Sequence, residues 1–532
     1  MIRPEIVKKL GCPAYGLSIS WNISKNSIPA ESVHEVHRCF RREFWPFPKT
    51  PAVKDTILAG KLRQKANVCY RKQSDSVLQM YNESICHAAE GSEELAMGYA
   101  NRSAVYFNRK LYYHCLHNIE LAKASGYPAD KMEKLLEREK KCLMQIEQLH
   151  PEPEEAPLIK DSVSSLRVAD IPGCGQGLVA ENNFTVGDVI LREHPVLIIP
   201  EPEAVYTRCA NCGDENELDL LPCKHCILSM YCSDKCRSEA YDRFHRYECE
   251  IMHDMTHLFK GPKHMRTFLL MLRLFWLTIT NFMQNPHDFI GKYKENLSLY
   301  KNPLNISHDE LHLHVLSKPL TILAKDLAGK GVCQFLTVLI YNIAVMESSA
   351  IEEHFRETHH TLILDILYRL IVQASQVSDQ SRAGLTCYYP LLQMVNHSCA
   401  PNTERFCAKG KGFQSYLLTK RPILTDEQIT MCYLPQSSSE VMEKKDRLIE
   451  LRKEFQFHCR CLACALDYPL LSTIEENREL DSELQAICNE IENNAEKLSA
   501  LKEFLQRHDK HYPQRELTRA WAMYKEKIIG EL

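Results

Sequence analysis

What the chain lacks narrows the field first. Over 532 residues the formal net charge is only −4, so there is no basic field to condense nucleic acid on the molecule as a whole. The opening residues "MIRPEIVKKLGCPAYGL" have no apolar core of the kind a secretory signal needs, which sets the expectation of a cytoplasmic and nuclear protein. The greasiest stretch, "MRTFLLMLRLFWLTITNFM", carries Arg273 near its middle. An arginine at a bilayer centre is penalised by roughly 2.5–3.5 kcal/mol even on lenient scales, so this stretch reads as a buried helix and no membrane partner is expected. Cysteine is well represented, 23 in all. In a reducing compartment, clustered cysteines point to metal rather than to disulfides.

Length implies several domains, and the pattern along the chain divides accordingly. Residues 1–57 form a leader with proline and aromatics ("WPFPKTPAV"). Residues 58–150 read as a helical arm in which "KANVCYRKQSDSVLQMYNESICHA" and "RSAVYFNRKLYYHCLHNIELAKASGYP" form successive hairpins. Aligned, Ala66 matches Ser103, Cys69 matches Tyr106, Leu78 falls near Cys115 and Ile85 near Ala122. Small residues at such places and a closing Tyr-Pro are typical of tetratricopeptide repeats, here with a period of about 37 rather than 34; a generic helical bundle is the alternative. Residues 151–160, within "HPEPEEAPLIKD", make a linker. Strand character occupies 161–208, helices 250–383, strands again 384–450, and a helical tail 469–532 with Leu480, Leu484, Ile487, Ile491, Leu498, Leu501 and Leu505 at three- and four-residue steps.

Between the first strands and the helices, residues 209–249 read C-x2-C-x10-C-x2-C-x5-C-x3-C-x8-H-x3-C. The donors are Cys209, Cys212, Cys223, Cys226, Cys232, Cys236, His245 and Cys249, enough for two closed tetrahedral zinc sites. The spacing resembles the MYND zinc finger. That resemblance implies interleaved ligation: Cys209, Cys212, Cys232 and Cys236 on one ion, Cys223, Cys226, His245 and Cys249 on the other, with His225 a bystander. It also implies a binding role toward proline-rich peptides, corepressor and deacetylase proteins among the expected partners. The acidic "GDENELD" loop argues against DNA as the finger's ligand.

A second cysteine group, "FQFHCRCLAC", offers Cys459, Cys461 and Cys464 but no fourth neighbour. On the residues alone, burial, or completion of a site by Cys432 or Cys407, stays open. Three further segments occur in order: "GCGQGLVA" before the finger, "YYPLLQMVNHSCAPNT" after the helices, and "LTDEQITMCYLPQ" ahead of the cysteines. Together they resemble the SET domain, and more narrowly the SET-and-MYND-domain family of protein lysine methyltransferases; the repeat-like arm points to its tetratricopeptide-containing fourth-member branch.

The resemblance implies an α+β multidomain fold: a β-rich SET domain split by a MYND zinc finger and a helical insert, flanked by helical, TPR-like N-terminal and short C-terminal arms. Residues 161–208 would be the first SET segment, 384–450 the SET core and 451–468 the post-SET zinc segment. It implies methyl transfer from S-adenosylmethionine to a lysine of a histone or non-histone protein by a monomeric enzyme. Cys399 would join Cys459, Cys461 and Cys464 on a third zinc ion. Tyr433 would be the active-site tyrosine and would also meet the cofactor. Gly175, Gln176, Gly177, Asn396, His397 and Phe457 would contact the cofactor, with Phe455 and Phe457 walling the lysine channel. Three departures stand out. Cys174 replaces a small or basic residue, Ala374 and Ser375 replace a cysteine-asparagine pair, and Thr425 or Asp426 stands where the family has glycine. They make a weak or inactive MYND/TPR adaptor the competing expectation.

Overall fold

A computed structural model describes residues 53–147, 165–251, 262–294, 302–307, 310–317, 337, 340–346, 348–374, 384–407, 413–434, 438–455 and 457–531. The expected linker, most of the leader and Ser375 lie outside them. The chain divides into two compact units. One comprises Met1–Pro153, Leu197–Lys301 and His312–Tyr388; the other comprises Glu154–Val196, Asn302–Leu311 and Tyr389–Leu532.

The first unit begins with helical hairpins: α1 (Thr56–Arg71) with α2 (Val77–His87), then α3 (Glu93–Asn108) with α4 (Tyr112–Ala124), followed by α5 (Met132–Ile146). α1 starts ahead of position 58 because the Asp55 carboxylate caps it, accepting the Leu58 N–H at 2.9 Å. Ser92 caps α3 the same way, with Glu93 and Glu94 in the first turn where the helix dipole favours acids. The positions aligned above face inward: Ala66, Leu78, Ile85, Ser103, Tyr106, Cys115 and Ala122 are all buried. Cys69 alone of that set is half-exposed.

In the same unit, β4 (Leu197–Pro200) pairs antiparallel with β7 (Leu385–Tyr388). The finger contributes a short hairpin of β5 (Leu221–Pro222) and β6 (Met230–Tyr231), then α6 (Asp234–Ala240). Beyond it lie α7 (Pro262–Gln284), α8 (Pro286–Lys294) and α9 (Glu353–Ala374). α7 is the expected buried helix, and Arg273 is only 3% exposed within it. Its guanidinium binds the Glu248 carboxylate at 2.9 and 3.2 Å and donates to the carbonyls of Ile198 and Ala210. A charge costly in lipid is thus fully partnered against the finger. Among the described residues no helix is long and apolar enough to cross a membrane.

The second unit holds the β-rich centre. β1 (Leu166–Ile171) and β2 (Gly175–Ala180) form a hairpin; β3 (Val189–Glu193), β10 (Ser415–Thr419) and β9 (Thr403–Cys407) form an antiparallel sheet in that order. β8 (Asn396–His397) runs parallel to β11 (Thr430–Met431). α10 (Lys444–Phe455) leads to the second cysteine group. The tail folds as α11 (Arg478–Glu490), α12 (Asn494–His508) and α13 (Arg515–Glu531). Its leucine period is interrupted at Ile491, whose backbone is extended, and Asn493 restarts the helix by accepting the Ala495 and Glu496 N–H groups. Leu480, Leu484, Leu501, Phe504, Leu505 and Trp521 cover Val189, Phe406 and Leu418 of the sheet in one core. Burying a side chain of this size contributes about 1.5–3 kcal/mol, so the tail is part of the unit's core.

Candidate active site and metal centres

Three groups of four donors emerge, each with its ligand atoms within 4.8 Å of one another: Cys209, Cys212, Cys232, Cys236; Cys223, Cys226, His245, Cys249; and Cys399, Cys459, Cys461, Cys464. Sulfur separations include 3.6 Å for Cys212–Cys232, 3.5 Å for Cys232–Cys236, 3.8 Å for Cys223–Cys249 and 3.6 Å for Cys399–Cys464. A tetrahedron with zinc–sulfur bonds of about 2.3 Å has edges of about 3.8 Å. A disulfide would bring the sulfurs to about 2.05 Å. The donor set and its spacing therefore fit zinc, and His245 offers Nε2, 3.6 Å from the Cys226 sulfur. His225 is exposed and sends only its backbone N–H to Cys223, at 3.4 Å. Cys407 lies on β9 against Ser415, and Cys432 packs beside the third group without joining it.

The finger is seated on the helical arm through a buried cation. Arg102, fully buried, donates to Asn118 at 2.7 Å, Asn82 at 2.6 Å, the Leu220 carbonyl at 2.8 Å and the Asp219 carboxylate at 2.8 Å. The other Asp219 oxygen accepts from His114 and His117 at 3.1 and 2.9 Å. Burial opposes the charge, but Arg102 and the two imidazoles hold this carboxyl well below the usual carboxylate range. One acid of the "GDENELD" loop thus serves an internal ion pair instead of facing solvent. Nothing in the sequence pairs Arg102 with a residue so far along the chain.

The third group sits in the second unit, beside the segments singled out above. The turn from β1 to β2 carries Gly173 and Gly175 at φ of 76° and 78°, with the exposed Cys174 between them. Gly175 has open space where a Cβ would stand. At Gly177 a Cβ would meet the Asn396 amide nitrogen at 2.5 Å, so any larger residue would displace this side chain from β2. Asn396 in turn donates to the Gln176 carbonyl at 3.3 Å.

Register in the parallel pair sets Thr430 opposite Asn396 and Met431 opposite His397, which delivers Tyr433 to the same place. The Tyr433 amide donates to His397 Nδ1 at 3.0 Å, and its hydroxyl donates to the Val395 carbonyl at 2.8 Å. His397 Nε2 lies 3.3 Å from the Cys399 sulfur. Because Nδ1 accepts, the neutral ring carries its proton on Nε2, toward that sulfur. Burial pushes the imidazole down to about 4 and raises the Tyr433 phenol well above its ordinary value, so both are uncharged at neutral pH. Phe455 and Phe457 complete an aromatic cluster, with ring centroids 5.1 and 6.3 Å from Tyr433.

Three supporting residues escaped the sequence reading, and a fourth is clarified by the backbone. The Asn402 side chain accepts from the Thr430 N–H at 2.9 Å and donates to the Gln428 carbonyl at 2.8 Å, fixing β11 to the segment after Cys399. Buried Glu193 accepts the Leu391 and Leu392 N–H groups, each at 2.9 Å, and so anchors the turn leading to Asn396. Arg447, fully buried, reaches the Cys464 sulfur at 3.8 Å and places positive charge beside four potential thiolates. Asp426, rather than Thr425, takes the left-handed backbone, φ 67°, that a glycine would adopt. Aspartate tolerates that region better than most residues, so the departure keeps the turn. Asn402 and Asp426 lay inside quoted motifs; Glu193 and Arg447 have no local signal.

The SET domain family matches residues 175–434. A zebrafish (Danio rerio) relative, "Protein-lysine N-methyltransferase SMYD4", is 21% identical over 502 residues, covering 77% of this chain and 65% of that protein. "Histone-lysine N-methyltransferase ASHR1" of Arabidopsis thaliana is 24% identical over 306 residues, 56% of this chain and 55% of that one. "SET domain and MYND-type zinc finger protein 6" of Schizosaccharomyces pombe is 24% identical over 321 residues, 60% of this chain and 54% of that one. The chain thus spans just under two thirds of the SMYD4 relative's length and little more than half of the other two. The solved SET domain of LSMT bound to lysine and AdoHcy has a TM-score of 0.26 at 13% identity, over 73% of this chain and 90% of that one, too faint a likeness to build on. With the SET match extending on both sides of a finger whose donors assemble in fours, and a relative named for the same pair of domains, the chain is similar to the SET-and-MYND-domain family.

Proposed function

We propose that this chain is an S-adenosylmethionine-dependent protein-lysine N-methyltransferase with three structural zinc ions, two in the finger and one clamping Cys399 to Cys459, Cys461 and Cys464. The observation that carries the reading is the convergence of Asn396, His397, Tyr433, Phe455 and Phe457 beside the β1–β2 glycine turn. The open space at Gly175 and the amide-lined face at Gly177 fit a ligand approached closely by backbone. Gly175, Gln176, Gly177, Asn396, His397 and Phe457 are the residues that would hold the cofactor. Bound there, it supplies a methyl group on a sulfonium already primed to leave.

The chain's own work is alignment and desolvation. A lysine amine, pKa about 10.4 in water, must be neutral to attack, and an aromatic wall of Tyr433, Phe455 and Phe457 disfavours the ammonium. The Tyr433 hydroxyl spends its proton on the Val395 carbonyl, which leaves its oxygen lone pairs to accept an amine N–H and aim the nitrogen. The finger, and the arm read as tetratricopeptide-like hairpins, would select the protein substrate or proline-rich partners. The test is transfer of labelled methyl from the cofactor to protein lysine. Tyr433→Phe is expected to lower it about 10²–10³-fold while leaving cofactor binding intact. Equal transfer by the variant, or none by the wild type, refutes the reading and leaves the adaptor.

A further inference from the structure

His397 bridges two parts of the second unit with different chemistry. Past Met431 the parallel ladder ends, and the next amide used by the site, that of Tyr433, is taken by the His397 Nδ1 at 3.0 Å. This part-buried amide finds its partner in the ring. On the far side of the ring, Nε2 meets the sulfur of Cys399 at 3.3 Å. The ring is held in place by Tyr433 and Phe457, centroids 5.3 and 5.8 Å away.

We propose that His397 is a positioning residue that couples the metal clamp to Tyr433. One nitrogen orients the tyrosine backbone; the other donates to a thiolate of the clamp. Imidazole suits this because its two nitrogens point in divergent directions from one rigid ring. Four thiolates on a divalent ion leave a net charge of −2, so each N–H or cation aimed at a sulfur stabilises the loaded site. Two more such groups are present, the Cys399 N–H on the Cys461 sulfur at 3.3 Å and Arg447 on Cys464. The ring thus ties the Cys399 sulfur to the Tyr433 amide, so a change at the clamp reaches the tyrosine through one side chain.

The kinetic half of this inference rests on the methyltransferase reading; the metal half stands without it. The experiment is zinc release from the full chain to a chromogenic chelator, paired with methyl transfer, for His397→Asn and His397→Gln. Asparagine keeps an oxygen near the Nδ1 position and loses the donor to Cys399; glutamine reaches the Nε2 position and loses the acceptor for Tyr433. With asparagine, one zinc ion is expected to leave about 10- to 100-fold more readily while the finger ions behave as in wild type. With glutamine, zinc retention stays near wild type, yet kcat falls about tenfold or more at unchanged KM for the protein substrate. Zinc release by the asparagine variant at the wild-type rate overturns the proposal, as does equal release by both variants. If the wild type transfers no methyl, the proposed activity fails and the zinc comparison still decides the coupling. Should the asparagine variant not fold, glutamine alone decides: retained zinc with impaired transfer supports the coupling, and loss of that zinc contradicts it.

Discussion

The finger and the clamp both gather donors in fours, but from different distances. All eight finger donors fall within 209–249, whereas the clamp takes Cys399 from one stretch and Cys459, Cys461 and Cys464 from another some 60 residues on. A locally sourced site organises a small module that has little core of its own. A site sourced at long range joins stretches that would otherwise be independent, and here one of them carries Asn396 and His397. Loop closure grows only logarithmically with length, so distance is a modest obstacle to such a site. The finger's metal would thus matter for recognition, and the clamp's for the reacting centre.

The largest expected contrast comes from breaking the finger alone. Cys223→Ala should remove zinc from its cluster, read as metal per chain, and abolish capture of proline-rich partners, while cofactor titration stays as in wild type. Loss of cofactor binding in that variant would erase the distinction between the two kinds of site. Next is the finger's seat on the arm. Arg102→Met leaves Asp219 buried without its guanidinium, and a denaturant midpoint shift worth about 3–5 kcal/mol is expected; a shift within error would mean the network is dispensable. A third contrast lies in the second unit. Burial pushes the Glu193 carboxyl up to about 8 from 4.5, against the pull of the Leu391 and Leu392 amides and Arg405. A folded-state value raised this way gives stability that is complete below about 4.5 and is lost as pH rises through about 8. Melting temperature should fall across that window in the wild type and less steeply in Glu193→Gln. An unchanged slope would mean Glu193 is charged in the fold.

The same contrast of distances explains what was legible. Helical hairpins announced themselves through small residues at matched positions and a closing Tyr-Pro, and the finger through spacing that chemistry alone makes hard to read otherwise. The leucines of the tail gave its helices, though not the break at Ile491, because capping by Asn493 is a one-residue decision that periodicity does not carry. Cys399 was reachable only through resemblance, since no local rule ties it to residues some 60 positions later. Arg102 with Asp219, Arg273 with Glu248, Glu193 with the turn at Leu391, and Arg447 with Cys464 were invisible. Each is a buried polar group whose partner is set by tertiary packing, and sequence offers no period for such pairs. Asp426 shows the converse: the resemblance marked it as a loss, and its backbone angle shows the turn retained.

Calorimetric titration of S-adenosylhomocysteine into Cys399→Ala, with the finger zinc verified present, tests the central claim most directly. If the clamp joins the remote ends around one cleft, the variant carries one zinc ion fewer than wild type and gives no binding heat. Binding at wild-type affinity would contradict the account.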